Sequence, residues 1–298
     1  MPHISLTDYT KDAQFLQVEE YYVAYWSSLA LESIDSGKIA KRPVVLFLHG
    51  FPSASYDWHH QWAALNATHH CVALDFLGFG LSDKPHPQRY SLQQQTDIVV
   101  AVMQHLQGYG IAQCAVVAHD YGVSVGQELL ARGTELPLHI HSMTFLNGGL
   151  FAHSHRPLLT QKLLHSKLGW LVAKCMSKRT LAASFAKIFG PNTPPSAQLI
   201  DDLWQLLNTH DGRRVIPSLL RYLDERHQYA QRWRDALVMT HSQLAFINGV
   251  RDPISGQHML DEFSRVVPHA KTFALDVGHY PQLEAPEAVT KALLECWT

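Results

Sequence analysis

The residues best suited to nucleophilic catalysis follow a short apolar run, in the segment Ala118-His119-Asp120-Tyr121-Gly122. A nucleophile elbow holds its central residue in a strained turn between a strand and a helix, so the positions two before and two after it must be small. Ala118 and Gly122 meet that requirement around Asp120. Since an aspartate at such a turn can also be an ordinary helix N-cap, this motif alone leaves both roles open.

A second pattern overlaps the first, because Gly122-Val123-Ser124-Val125-Gly126 matches the G-x-S-x-G pattern of serine hydrolases. If Ser124 were the nucleophile, the preceding strand would extend to Gly122 and would bury the polar triplet His119-Asp120-Tyr121, which is costly. With Asp120 as the nucleophile, the strand ends after its apolar residues and Ser124 falls in the first turn of the next helix. The pattern therefore favours Asp120 over Ser124.

Two later loops contain the partners that a nucleophile needs. Asp252 follows an apolar run at 244–247, and His279 follows another at 272–275. Asp252 alone could be a turn residue before Pro253, and His279 is one of twenty histidines. Taken together, the chain order Asp120, Asp252, His279 is the nucleophile, acid, base order of α/β-hydrolases. The combination predicts a catalytic triad.

A tight turn at His49-Gly50-Phe51-Pro52 follows the first predicted buried strand. It can direct the backbone N–H of Phe51 at a reacting oxygen, and the N–H of Tyr121 would be the second donor of an oxyanion hole. The loop at 75–80 lacks the third glycine of a dinucleotide fingerprint, and no histidine pair has partners at metal-ligand spacing. We therefore predict neither a cofactor nor a metal.

The elements that must position these motifs follow from the hydrophobic pattern. Continuous apolar runs predict buried strands at 43–48, 70–76, 114–118, 142–146, 244–247 and 272–275, with an edge strand or hairpin at 15–25. Helical periodicity at 91–106 and 123–132 alternates with these strands, which indicates an α/β fold with a mostly parallel sheet flanked by helices. Loops at the carboxyl ends of such strands meet at one edge of the sheet.

The strand-helix alternation stops near residue 150, and the chain is helical in character from there to about residue 239. Strand signals return at 244–247. We therefore predict a helical cap over 150–238, inserted into a core formed by 1–149 and 239–298.

Composition indicates a globular protein, since 46% of the 298 residues are hydrophobic and 17% are charged. The 24 Lys plus Arg and 26 Asp plus Glu give a charge of −2, which predicts no nucleic-acid or membrane partner, although a local patch can differ from the average. The four cysteines lack CxxC spacing, and no signal peptide or membrane-spanning run is evident. We expect a cytoplasmic protein that acts on a small molecule; the sequence does not indicate its oligomeric state.

Four motifs together resemble the α/β-hydrolase superfamily, and more closely its epoxide hydrolase and haloalkane dehalogenase branch, whose nucleophile is an aspartate. They are HGFPSASYDW at 49–58, LDFLGFGLSDKP at 74–85, HDYG at 119–122 and GHYPQLEAP at 278–286. Within that branch, the segments at 147–149 and 156–159 extend the similarity to the mesoderm-specific transcript family of hydrolases. The resemblance covers roughly residues 40–290.

The resemblance implies a two-step reaction that needs no cofactor. Asp120 would attack an sp³ carbon and form an alkyl-enzyme ester. His279, oriented by Asp252, would then deprotonate a water molecule that attacks the ester carbonyl. The oxyanion hole at Phe51 and Tyr121 would stabilise this second step.

The leaving group divides the branch into its two activities. Dehalogenases usually place a Trp where Tyr121 stands and often an Asn where Phe51 stands, so both departures favour epoxide hydrolysis. Epoxide hydrolases protonate the ring oxygen with cap tyrosines, and Tyr222 matches the later of these. No tyrosine lies between 150 and 221, so His155 or His153 would have to replace the earlier one.

Three alternatives stay open on the sequence. The first is dehalogenation of a haloalkane or haloacid. The second is a serine-type esterase that acts through Ser124. The third is a binding protein that keeps the hydrolase fold without catalysis.

Overall fold

A computed structural model describes residues 4–28 and 42–297. Eight strands form one sheet in the order β1-β2-β4-β3-β5-β6-β7-β8. Pairing is antiparallel between β1 and β2 and between β2 and β4, and parallel at every later pair. The strands are β1 (Gln14–Val18), β2 (Tyr21–Ser27), β3 (Val44–Leu48), β4 (His70–Leu74), β5 (Gln113–His119), β6 (His139–Leu146), β7 (Gln243–Gly249) and β8 (Lys271–Leu275). This arrangement confirms the predicted α/β-hydrolase architecture.

Helices cover the sheet and fill the long interval between β6 and β7. They are α1 (Leu6–Lys11), α2 (His59–Leu65), α3 (Leu92–Gln107), α4 (Tyr121–Arg132), α5 (Leu159–His165), α6 (Gly169–Lys174), α7 (Lys178–Phe185), α8 (Ala197–Asn208), α9 (Ile216–Leu219), α10 (Tyr222–Gln228), α11 (Ala230–Met239), α12 (Gln257–Val266), α13 (Pro281–Glu284) and α14 (Pro286–Cys296). Short 3₁₀ turns occupy Ser55–Trp58, Gly133–Glu135 and Thr209–Val215.

The central strands are buried on both faces, as their unbroken apolar runs predict. Every residue of β3 and β4 is buried, and β5 is buried at all positions after its first. Because these strands are parallel, the loops after their carboxyl ends meet in one region at the edge of the sheet. The loops that hold Phe51, Asp120 and His279 all belong to that edge.

Between β6 and β7 the described chain contains helices and turns but no strand. This interval packs on the core through one continuous apolar cluster that includes residues of both parts. A polar contact also joins them: Glu128 of α4 accepts hydrogen bonds from Arg232 and from the Trp233 indole of α11. The helices of this interval are thus packed on the core, and α11 lies against α4.

The structure also bears on the cysteines, on membrane-spanning segments and on metal ligands. All four cysteines are free, and only Cys175 is exposed. Among the described residues, no helix has both the length and the apolar character needed to cross a membrane. Within residues 4–28 and 42–297, no group of three His, Cys, Asp or Glu side chains could hold a metal ion.

Candidate active site

Asp120 is the only residue between β5 and α4, and its backbone has φ 46° and ψ −99°. A side chain larger than glycine rarely adopts this positive φ, so the surrounding packing must enforce it. Gly122 makes the tight turn possible, because a Cβ there would lie 2.7 Å from the Leu48 carbonyl oxygen. The strand runs one residue further than the apolar pattern predicts, through His119, which leaves a sharper turn at Asp120.

The two carboxylate oxygens of Asp120 face different groups. Oδ1 accepts a hydrogen bond from the Phe51 backbone N–H at 3.0 Å, whereas Oδ2 lies 3.4 Å from Nε2 of His279. The side chains of Asp120 and His279 are each 2% exposed. One oxygen thus contacts the first of the two predicted oxyanion-hole donors, and the other faces the histidine. The Tyr121 N–H stands at the first position of α4, where a helix supplies no acceptor of its own.

Asp252 holds His279 from the other side. Its Oδ2 lies 2.7 Å from Nδ1 of His279 and also accepts from the Asn147 amide and from the N–H and Oγ of Ser255. Its Oδ1 accepts from the Ile254 N–H at 2.8 Å. Because both oxygens are fixed by donors, the carboxylate presents a rigid acceptor to the imidazole. The structure therefore brings the three predicted triad side chains together.

The charges of this group depend on one another. Burial alone would lower the pKa of His279, but the adjacent Asp252 and Asp120 carboxylates outweigh it and raise that pKa to about 10. Burial would raise the pKa of both carboxyls, yet contact with His279 holds the pKa of Asp120 well below its usual range and that of Asp252 at about 2. At neutral pH the resting site therefore holds an imidazolium between two carboxylates.

The backbone around His279 is fixed by contacts that the sequence analysis did not predict. Its N–H donates to the Ile188 carbonyl and its carbonyl oxygen lies 2.8 Å from Nε2 of His119. Glu284 accepts from the N–H groups of Gly278 and Tyr280 on either side. It also accepts from the Gly190 N–H, so the same carboxylate ties the histidine loop to the segment after α7.

Tyr222 of α10 reaches the site from the cap side. Its ring lies 5.0 Å from that of Tyr121 and 6.2 Å from that of Phe51, measured between ring centres. Its hydroxyl is buried and has no hydrogen-bond partner among the described residues. Burial and the nearby Asp120 charge raise the pKa of this phenol above its ordinary value, whereas Arg226 opposes the shift. The phenol therefore keeps its proton at neutral pH and is free to donate it.

Arg226 lies one helical turn after Tyr222, 2% exposed, with its guanidinium carbon 4.5 Å from the centre of the Tyr222 ring. It donates from Nε to Oγ of Ser124 and from a terminal nitrogen to the backbone carbonyl of Asp120. The sequence analysis missed this residue. Its spacing of four from Tyr222 is the signal that could have found it, because residues four apart share a helix face.

His155 stands on the other side of Arg226, with Nδ1 3.4 Å from a terminal guanidinium nitrogen. A guanidinium only donates hydrogen bonds, so Nδ1 must accept and Nε2 must carry the proton. Burial, and then the charge of Arg226, lower the pKa of His155 to about 3. Its Nε2 is shielded from solvent and has no partner among the described residues. His153, by contrast, is exposed and lies 3.5 Å from Glu262.

Ser124 lies in the first turn of α4, where the strand boundary predicts it, and it is fully buried. Its hydroxyl accepts from Arg226 at 2.8 Å. No hydrogen bond joins it to His279 in the described part of the chain. The geometry thus pairs His279 with Asp120 rather than with the serine.

A cavity of about 290 Å³ extends from His279 and Phe51 outward between α5, α6 and α7. Its apolar walls are Leu158, Leu164, Val172, Met176, Leu181, Phe185, Ile188 and Ile254. No Asp, Glu, Lys or Arg among the described residues lines it. The cavity is small for a ligand site and suits an uncharged, largely apolar molecule.

Comparison with known proteins places this geometry in a family. The model of the alpha/beta hydrolase family matches residues 45–292. The mesoderm-specific transcript homolog protein of Bos taurus is 38% identical over 267 residues, which are 87% of this chain and 79% of that protein. The putative hydrolase LipZ of Mycobacterium tuberculosis is 40% identical over 257 residues, 85% of this chain and 87% of LipZ.

Solved structures show the same fold. The Y109W mutant of haloalkane dehalogenase DatA from Agrobacterium tumefaciens superposes with a TM-score of 0.77 over 96% of each chain, at 19% sequence identity. At that identity the similarity establishes the fold only. The resemblance drawn from the sequence motifs is confirmed at the level of the family and its mesoderm-specific transcript relatives.

Proposed function

The chain belongs to the alpha/beta hydrolase family, and from that premise we propose that it hydrolyses epoxides through an ester formed on Asp120. The observation that carries the proposal is that the two carboxylate oxygens of Asp120 contact different groups. Oδ2 faces His279 at 3.4 Å and would attack carbon, while Oδ1 already accepts from the Phe51 N–H. Once the ester forms, Oδ1 is its carbonyl oxygen, and it already lies where negative charge develops in the hydrolytic step.

In the first step, Oδ2 of Asp120 bonds to one epoxide carbon and the carbon–oxygen bond of the ring breaks. The released oxygen takes the proton of the Tyr222 hydroxyl. The Nε2–H of His155 is the second donor that this oxygen would meet, because the Arg226 contact fixes the proton on that nitrogen. Arg226, next to the Tyr222 ring, would stabilise the resulting phenolate.

In the second step, neutral His279 removes a proton from water, and the hydroxide attacks the ester carbonyl. The bond between the carbonyl carbon and the alkyl oxygen then breaks, and the alkyl oxygen takes the proton that His279 removed from water. A diol is released, and a water-derived oxygen stays in the Asp120 carboxyl group. The proton that His279 carries at rest passes to the Tyr222 phenolate before the second step, and ionisation of the Asp120 carboxyl returns a proton to His279. Esterification removes the Asp120 charge, one of the causes that raise the pKa of His279. The first step therefore lowers the pKa of His279 and increases the fraction of neutral imidazole that can act as the base in the second step.

Two features support an epoxide over a halide. A departing halide needs a nitrogen donor beside the nucleophile, and the side chains of Tyr121 and Phe51 offer none. The uncharged lining of the cavity also argues against a haloacid, whose carboxylate would need a cation. The substrate class that fits is an alkyl or aryl epoxide without a charged substituent.

A substrate panel tests the proposal. Purified protein would be assayed with apolar epoxides, haloalkanes and aryl esters, each against the Asp120→Asn and Ser124→Ala variants. We expect diol formation from epoxides that Asp120→Asn abolishes and Ser124→Ala preserves. Faster turnover of haloalkanes, or ester cleavage dependent on Ser124, would replace the proposal with one of the other activities. A folded protein inactive on all three classes would support a binding protein without catalysis.

A further inference from the structure

The outer surface of α5 and α6 exposes an unusual amount of apolar side chain. Five of the ten large hydrophobic residues that are exposed in the described chain lie within this short stretch of the cap. They are Leu159, Leu163, Leu168, Trp170 and Leu171, with exposed fractions of 71%, 46%, 61%, 62% and 44%. Such a concentration of exposed apolar side chains indicates an interaction site.

The same region is strongly basic, although the whole chain carries a charge of −2. No Asp or Glu occurs between Glu135 and Asp201. Seven basic residues lie in that interval, and all are exposed: Arg156, Lys162, Lys167, Lys174, Lys178, Arg179 and Lys187. Lys178 is paired with Asp201 of α8. The average charge therefore conceals a local positive surface.

Apolar and basic side chains occur together on both of these short helices. On α5, Lys162 is three residues after Leu159 and next to Leu163, and on α6, Lys174 is four residues after Trp170. Residues three and four apart on a helix are neighbours on its surface. Apolar residues with lysines beside them are the arrangement by which helices lie in the plane of an anionic membrane surface.

This surface is also the outer side of the substrate cavity. Leu158 and Leu164 of the α5 region and Val172 of α6 line the cavity, while the exposed residues of the same helices face solvent. The cavity reaches exposed residues at Thr160, Cys175 and Thr180. An apolar compound dissolved in a lipid layer beneath α5 and α6 would meet the entrance directly.

We propose that the cap face, defined as the exposed residues of 159–174, docks on the surface of an anionic lipid bilayer. Docking would insert Trp170 and the neighbouring leucines at the boundary of the acyl chains and would place the lysines at the lipid phosphates. That the docked protein takes an apolar epoxide from the bilayer rests on the proposed function. The docking itself does not require Asp120.

Vesicle flotation tests the docking without any substrate. Protein would be mixed with vesicles of phosphatidylcholine alone or with phosphatidylglycerol added, at low and at high salt. We expect binding only to the vesicles that contain phosphatidylglycerol, weakening as salt screens the charges. Each lysine near such a surface contributes roughly fivefold to the affinity (~1 kcal/mol), so the double variant Lys167→Gln/Lys174→Gln should bind about 25-fold more weakly.

Matched variants away from the cap face serve as controls. Lys271→Gln/Lys291→Gln removes the same charge from the exposed surface of β8 and α14. Val238→Ser/Met239→Ser removes two exposed apolar side chains from α11. Both should bind as the unmodified protein does, whereas Leu168→Ser/Trp170→Ser should lose binding. The proposal is overturned if the protein does not float with anionic vesicles, if the controls weaken binding as much, or if only a soluble polyanion such as heparin binds. Asp120→Asn should float normally, so the two proposals can fail separately.

Discussion

The two sides of the active site differ in how far their polar atoms are satisfied. On the core side, Asp252 accepts hydrogen bonds on both oxygens and Asp120 accepts from Phe51. On the cap side, the Tyr222 hydroxyl and Nε2 of His155 are buried without partners in the described chain. A buried polar atom without a partner costs about 1–3 kcal/mol. The two core-side carboxylates are therefore held in place before substrate arrives, and the cap side presents donors that a substrate oxygen can satisfy.

The largest effect should follow from disturbing the satisfied side. Asp252→Asn removes the negative charge that holds His279 in the required tautomer, so we expect hydrolysis of the ester to slow by roughly 10⁴-fold, the scale known for triad carboxylates. Alkylation of Asp120 should fall much less. The ester should then accumulate and be visible as added mass on the intact protein. Slow turnover without accumulated ester would mean that Asp252 serves the first step instead.

A change on the unsatisfied side should affect the opposite step. Tyr222→Phe removes the proton donor while keeping the ring, so alkylation of Asp120 by an epoxide should slow by about 10²–10⁴-fold. Hydrolysis of preformed ester should hardly change, because that step uses His279. Tyr229→Phe, seven residues further along the chain, where the ring packs on Trp233, is the matched control and should leave both rates unchanged. Equal losses in both steps would contradict the separation of the two sides.

The pH dependence should separate the two steps as well. The pKa of Asp120 lies well below its usual range, so alkylation should be level from mildly acid to neutral pH. Hydrolysis needs neutral His279, whose pKa is about 10 while Asp120 is charged and falls when the ester forms. Below that lowered pKa the hydrolysis rate should rise about tenfold per pH unit, then level off. Rapid-quench measurements would give the pH dependence of each step. Alkylation that rises with pH while hydrolysis stays level would contradict the prediction.

The smallest kinetic effect is expected at the residue that links the two sides. Ser124→Ala leaves Nε of Arg226 without its acceptor, so the protein should lose about 1–3 kcal/mol of unfolding free energy. Both chemical rates should stay within a few-fold of those of the unmodified protein. Denaturant unfolding and steady-state assays would measure the two quantities. Abolished turnover in a stable Ser124→Ala variant would restore the serine esterase hypothesis.

The sequence predicts those parts of the site that depend on short patterns of neighbouring residues. Small residues around Asp120 and apolar runs before Asp252 and His279 predict a strand end at each, and parallel strand ends meet at one edge. The fold class and the sheet were predictable for the same reason. The limits of the elements differ from the predicted ones by one to three residues. Beside Asp120, β5 continues through His119, whose ring contacts the His279 carbonyl oxygen.

The contacts that the sequence does not predict join residues far apart in the chain. Arg226 reaches Ser124 and Asp120 across 102 and 106 positions, and no local pattern records such a pairing. The same holds for His155, whose tautomer depends on its contact with Arg226. The basic charge of the cap face was readable in the sequence, but the whole-chain total hid it. Its exposure beside the cavity required the three-dimensional packing of α5 and α6.

The central claim is that Asp120 is the nucleophile, and one measurement tests it most directly. Excess protein would be allowed a single turnover of an apolar epoxide in isotopically labelled water, followed by digestion and mass spectrometry. Because water attacks the ester carbonyl, we expect the label in the Asp120 side chain and not in the diol. Label found only in the diol, with Asp120 unlabelled, would contradict the account.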